Sequence, residues 1–304
     1  MYFRYVLGIL LLWANFSAVQ ACDACGCSIM FWDLGITPRF QSHRISLGWQ
    51  HQSFRSFASL AEAELGNIGS EEQFQQLNLQ AQVRLHERWR LNIALPYSIL
   101  QRQLPDQDWQ LSGWADPSIL LTYMLINQEQ KASTSWRHRW SVGLGAKLPF
   151  GPQQQLPDDL QNQANFRLGT GSTDWLLYSQ YVLRYQDWGL SADALLSLNG
   201  TNNEEYRYGH RSSGNLTFFG VFSAGKIGIM PRAGLYYEGA GADVQRGFYR
   251  DHTGGHYLFG QLGVQTFWPG FSAELRYLPV LHQNWADGLT QAQNRWALQL
   301  NYFL

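Results

Sequence analysis

The sequence predicts an all-β chain: a transmembrane, antiparallel, up-and-down β-barrel of about twelve strands. Three observations lead there. Apolar and polar residues alternate with period two over long runs, the runs are joined by connections that alternate short and long, and 15% aromatic residues, with 13 Trp and 29 Gly, coexist with a negative mean hydropathy. A membrane barrel reconciles the last pair, because residues facing lipid and lumen alternate and a window average never sees the apolar face alone.

The N-terminus sets the compartment. Arg4 gives a positive start, "YVLGILLLWANF" an apolar stretch and Val19-Gln20-Ala21 a small-residue cleavage site, so Met1–Ala21 reads as a signal peptide. No later stretch approaches the roughly 18–20 uninterrupted apolar residues of a spanning helix. The expected organisation is therefore a signal peptide over 1–21, a periplasmic cysteine-containing segment over 22–42 and an outer-membrane barrel over 43–304. A formal charge of −1 with interspersed signs argues against nucleic acid as a partner.

The alternation is clearest in "FQQLNLQAQVRLHERW", where Leu77, Leu79, Ala81, Val83 and Leu85 interleave with Gln76, Asn78, Gln80, Gln82 and Arg84. A helix would need apolar spacings of three and four, which this run lacks. Leu91, Ile93, Leu95, Tyr97 and Ile99 share a face in the same way, as do Phe271, Ala273, Leu275, Tyr277 and Leu281. So do Trp296, Leu298, Leu300, Tyr302 and Leu304, opposite Arg295, Gln299 and Asn301.

A soluble sandwich also alternates, but it turns every eight to twelve or so residues and packs two sheets about 10 Å apart. Here short turns at 86–89, 185–189, 223–226 and 268–271, with a longer one near 127–135, alternate with long segments near 57–72, 105–113, 151–172, 200–213, 241–254 and 285–293. That order puts both termini on the short-turn side, as in outer-membrane barrels with periplasmic turns and external loops. Trp89, Trp136, Trp140, Trp188 and Trp268 near the turns, and Trp109, Trp114, Trp175 and Trp285 near the loops, read as two aromatic girdles rather than core fillers.

Three stretches carry a family resemblance: "GWADPSILLTYML" (113–125), "GLGAKLPFG" (143–151) and "LGTGSTDWLLYSQYVL" (168–183). Their G-x-x-D, Leu-Pro-Phe-Gly and G-T-G-S-x-D patterns resemble those of the transporter-like outer-membrane barrels grouped with the meta-pathway of phenol degradation. The resemblance implies an outer-membrane barrel with a transport role and brings no catalytic residues. The stretch Cys22–Ser28 is also similar to the C-D-x-C-G-C-S opening of small exported barrels. The terminal strand, ending Tyr302-Phe303-Leu304, resembles the signal of barrels inserted by the outer-membrane barrel assembly machinery, with Leu in place of Phe. That machinery, outer-membrane lipid and a small solute are the expected partners.

Twelve strands leave room for a narrow or partly blocked lumen. Arg84, Lys147, Asp193, Arg232, Glu238, Glu274 and Arg276 fall on the lumen-facing phase, with Arg44, Arg137 and Arg139, and neither sign dominates. Such charges serve either as struts that pair across the lumen or as a solute site. An enzyme is not expected: the eight His are scattered, and no G-x-S-x-G elbow or Ser/His pairing stands out. His252 and His256 in "HTGGH" are the usual solvated pair of a Gly-rich loop rather than a metal site. The resulting expectation is a transporter or narrow channel, with a plugged structural or interaction barrel as the alternative.

The only cysteines, Cys22, Cys25 and Cys27, lie within six residues of one another where the strands have no use for them. Three readings stand: a Cys22–Cys25 disulfide or other redox use in the oxidising periplasm, a soft-metal site for which Cu(I) is the best match, or lipidation of Cys22. A closed zinc site would take a fourth ligand, and c-type haem would need His where Gly26 stands. Metal content and free-thiol count on protein purified without reductant, against a triple Cys→Ser variant, decide among them. The soft-metal reading predicts three thiols and one bound Cu(I); three free thiols that take up none would end it.

Overall fold

In the computed structural model the described residues are 43–57, 59, 61, 65, 69–104, 107–128, 136–152 and 166–304. The signal peptide and Cys22, Cys25 and Cys27 lie outside them. The described chain forms one closed antiparallel barrel of twelve strands. These are β1 (Arg44–Ser56), β2 (Ser70–Arg84), β3 (Trp89–Gln103), β4 (Asp108–Trp114 continued by Ser118–Asn127), β5 (Trp136–Lys147) and β6 (Asp174–Tyr185). Then follow β7 (Trp188–Leu198), β8 (Arg211–Gly220 with Phe222–Ala224), β9 (Ile227–Ala240), β10 (Gly255–Trp268), β11 (Phe271–Leu278 with Val280–Trp285) and β12 (Thr290–Ala292 with Arg295–Phe303). Each strand pairs with the next, and β12 returns to β1, Phe303 facing Arg44 and Trp296 facing His51.

Connections at one end are short, at residues 85–88, 128–135, 186–187, 225–226 and 269–270, and β1 starts and β12 ends there too. Gly225 and Gly270 adopt positive φ in two of these turns, a conformation that favours a residue without Cβ. The opposite end carries the longer connections. Above it, Tyr206–Arg207, Val244–Gln245 and Phe248–Tyr249 form a small sheet of their own, tying the β7–β8 loop to the β9–β10 loop.

Period two decides what each face meets. In β2, Phe74, Gln76, Asn78, Gln80 and Gln82 are buried in the barrel while Leu77 and Leu79 are exposed outside. In β12, Arg295, Ala297, Gln299, Asn301 and Phe303 are buried and Trp296, Leu298 and Tyr302 are exposed. Around the wall the outer face carries Leu121, Leu144, Leu177, Leu196, Leu216, Leu235, Val264 and Leu275, all exposed. A continuous belt of this kind is stable only against lipid. Rings border it: Trp89 packs on Tyr123, Trp136 on Tyr185 and Trp188 on Phe218 towards the short turns, and Tyr97 on Trp114 and Tyr277 on Trp296 towards the loops.

Above the belt the polarity inverts. Phe54, Phe74 and Leu100 turn inward, while Arg55 and Glu71 form an exposed ion pair of 3.3 Å outside. The wall here behaves as a soluble barrel, with its core inside. Phe54, Phe74, Phe166, Tyr236, Tyr257, Phe259 and Trp285 belong to one buried cluster.

This inversion corrects two sequence expectations. Asp108–Trp114 is a strand paired to β3, not part of a long loop over 105–113, and Trp109 and Leu111 pack against the inner cluster. Trp285 likewise belongs to the interior rather than to a girdle. Leu258 faces His282 but Phe259 faces Val280, so Leu281 is an extra residue in β11, and this bulge flips the phase beyond it. Trp285 thereby stacks on Tyr257 at 4.7 Å.

The face assignment makes a direct prediction. Leu79→Arg places a guanidinium in the apolar belt and should cost about 2–4 kcal/mol near the midplane, whereas Gln80→Arg points into the lumen and should be tolerated. Heat-modifiable gel mobility and urea unfolding in lipid vesicles measure this; equal defects would contradict the assigned phase.

Candidate functional site: the charged interior

The interior wall is organised in tiers. At the long-loop end, Glu238 on β9 takes a 2.7 Å hydrogen bond from Arg295 on β12, and that guanidinium lies 4.3 Å from the centre of the Phe259 ring. Glu72 and Arg102 pair at 2.7 Å, with Arg102 over the Phe166 ring at 5.2 Å. Each guanidinium is thus packed on an aromatic face as well as paired, which offsets part of its desolvation.

A second tier gathers the three quoted motifs. The buried Asp116 carboxylate accepts the Gly151 N–H at 2.9 Å, the Thr170 N–H at 2.7 Å and the Thr170 hydroxyl at 2.9 Å. Lys147 pairs with Asp174 and donates to Thr170 Oγ1 at 2.9 Å; Asp174 also accepts from Ser172 Oγ at 2.8 Å and the Gly200 N–H at 3.0 Å. Gly151 and Gly169 are needed because the two backbones touch: a Cβ on Gly169 would sit 2.6 Å from the Gly151 carbonyl oxygen. The motifs form a latch. It binds the stems of the β5–β6 loop to the break in β4 between Trp114 and Ser118.

The mid-wall is a mesh of amides and hydroxyls. Ser46 donates to Asn301 at 2.7 Å, Asn301 to Ser272 at 3.0 Å and Gln82 to Asn92 at 2.9 Å. Within it Glu274 accepts from two guanidiniums, Arg232 at 2.8 Å and Arg276 at 2.9 Å, with all three side chains at most 3% exposed. Asp193, half-buried, accepts from Asn215 at 2.9 Å. Arg84 lies half-buried on the same face at the short-turn end of β2.

The structure therefore brings Arg232, Glu274 and Arg276 together and places Glu238 and Lys147 in separate tiers, with Asp193 half-buried beside Asn215 and Arg84 half-buried at the short-turn end. Sequence reasoning overlooked Arg295, Glu72, Arg102, Asp116 and Asp174. Arg295 was accessible, since it shares the phase of Gln299 and Asn301. Asp116 was signalled by its motif, but without its partners. The "HTGGH" histidines separate: His252 contacts Asp287 at 2.8 Å and His256 stacks on His282 at 5.4 Å. Among the described residues no group of three His, Cys, Asp or Glu could hold a metal.

Neither a protein-family model nor a curated protein matches the sequence. Among solved structures, the COG4313 outer membrane channel from Pseudomonas putida F1 is similar at 12% identity and TM-score 0.63, over 91% of this chain and 100% of that one. The β domain of the Bordetella autotransporter BrkA is similar at 10% identity and TM-score 0.52, over 87% and 100%. The likeness is one of fold. It shows a closed antiparallel barrel and transfers no residue roles.

Because one carboxylate serves two cations, the Glu274 group gives an asymmetric prediction. Glu274→Gln removes the one carboxylate that two buried guanidiniums share and should cost about 3–5 kcal/mol, while Arg276→Gln keeps the Arg232–Glu274 pair and should cost less. Urea unfolding of vesicle-inserted protein measures both; equal losses would contradict the shared carboxylate.

Proposed function

We propose that this chain is an outer-membrane channel or transporter for small solutes, with its long loops outside the cell and its short turns and N-terminus in the periplasm. The observation that carries the proposal is the polarity of the interior at the height of the apolar belt. There the wall is built from amides, hydroxyls and ions such as Arg232, Glu274 and Arg276. Burying ions costs several kcal/mol each unless they are well paired. A purely structural barrel gains nothing from that cost, and this chain fills its interior with aromatic side chains above the belt. The near-complete burial of the paired groups argues for a narrow path and a small solute.

The likeness in fold to a channel supports the same reading by analogy, as does the motif resemblance to the barrels of the phenol meta-pathway group. The cysteine cluster, read as a soft-metal or redox site, belongs in this proposal to the periplasmic mouth. A plugged structural barrel is the second reading, favoured by the packed aromatic layer at the long-loop end.

Planar-bilayer recording and liposome swelling test the proposal. A channel gives discrete current steps and entry of small solutes in proportion to protein added. The absence of both would leave the structural reading.

A further inference from the structure

The amide mesh of the lumen closes on itself nearer the turns, where Ser46 donates to Asn301, Asn301 to Ser272 and Gln82 to Asn92. One cross-strand row nearer the loops it does not. The inward positions of that row run over five neighbouring strands: Asn78 on β2, Gly48 on β1, Gln299 on β12, Glu274 on β11 and Gln265 on β10, each facing the next in register. Leu77, Leu298, Leu275 and Val264 beside them are exposed outside, so the row lies at the height of the apolar belt. Gln50 and Gln261 continue the inner face towards the loops, and Gln50 and Gln299 are diagonal neighbours across the β1–β12 seam. Among the described residues, the side-chain oxygens of Asn78, Gln299, Gln265 and Gln261 accept no hydrogen bond, and the Gln50 amide makes none at either end. All five side chains belong to residues at most 7% exposed. Gln299, Gln265 and Gln261 donate their NH2 groups to Asn301, Ser272 and Thr217 at 3.1, 3.2 and 3.3 Å, so the carbonyl end of each is what is left over.

A buried amide that stays unpaired costs free energy that a Leu or Met of similar size would not. Five of them along one stretch of wall point to a partner supplied by the contents of the lumen. The amide itself sets that partner's chemistry. Turning an amide by half a revolution exchanges its carbonyl and NH2 ends, so a partner that both donates and accepts fits either way; a hydroxyl does this, whereas a cation meets carbonyl ends alone and an anion N–H groups alone. Glu274 is a filled position in the row, because its carboxylate already serves Arg232 and Arg276. We propose that the row is a binding station for small neutral polyols, the hydroxyls meeting Gln50 and Gln299 first, with Asn78, Gln265 and Gln261 as adjacent places along the wall. The station names a solute class for the channel, and its part in passage rests on the channel reading; binding does not.

The probes are erythritol and 1,4-butanediol, which share a four-carbon chain but carry four hydroxyls and two. Saturation-transfer NMR titrations on the detergent-purified full chain give the affinity of each. Erythritol should bind about tenfold or more tighter, the scale of two added neutral hydrogen bonds. Gln50→Met removes an amide that makes no hydrogen bond within the described residues, so it should fold normally by heat-modifiable mobility and lower the preference severalfold. Gln50→Met with Gln299→Met should bring the probes to parity, whereas Gln82→Met, in the mesh that pairs with itself, should leave the preference intact. Equal binding of the two probes, or a preference that Gln50→Met leaves unchanged, overturns the station. A conducting barrel with equal probe binding overturns the station alone, and a barrel that prefers erythritol but passes neither ions nor erythritol into liposomes overturns the channel reading alone.

Discussion

Closure of the ladder between Arg44–His51 and Trp296–Phe303 is the constraint on which the rest of this structure depends. In a bilayer no water is available to an unpaired N–H or C=O, so a spanning sheet has to join its own edges. Once it does, period two leaves no freedom. One face of every strand meets lipid and the other meets the lumen, and the Leu-rich outer face and amide-rich inner face of β2 are two consequences of the same closure.

The lumen is then a problem of ions at low dielectric. The fold answers it with pairs that are hydrogen-bonded, nearly fully buried and often laid on rings, as Arg295 is on Phe259. Pairing of this kind specifies geometry more than it adds stability. The Asp116 latch works in the same way: its three hydrogen bonds fix loop stems rather than contact a solute.

The strands of the belt were legible in the sequence because alternation and membrane agree there. β2 and β12 read directly from Leu77–Val83 and Trp296–Leu304. Asp108–Trp114 was not legible, since above the membrane the inner face is the apolar one and the polar residues Gln110 and Ser112 look like loop. Trp285 was misplaced because one extra residue, Leu281, reverses the phase, and a bulge leaves no mark on composition. For the site, alternation gave the face of Arg232, Glu274 and Arg276 but not their meeting, which depends on strand register. Nor did it give the height of each charge along the barrel.

The account's central claim is that alternate residues of each belt strand face lipid and lumen. Spin labels placed singly from 75 to 82, in a chain whose three cysteines are replaced, test this most directly through collision with oxygen and with a polar nickel chelate. The account predicts high oxygen accessibility at 77, 79 and 81 and low values at 76, 78, 80 and 82. A profile without that alternation, or with the opposite phase, would contradict it.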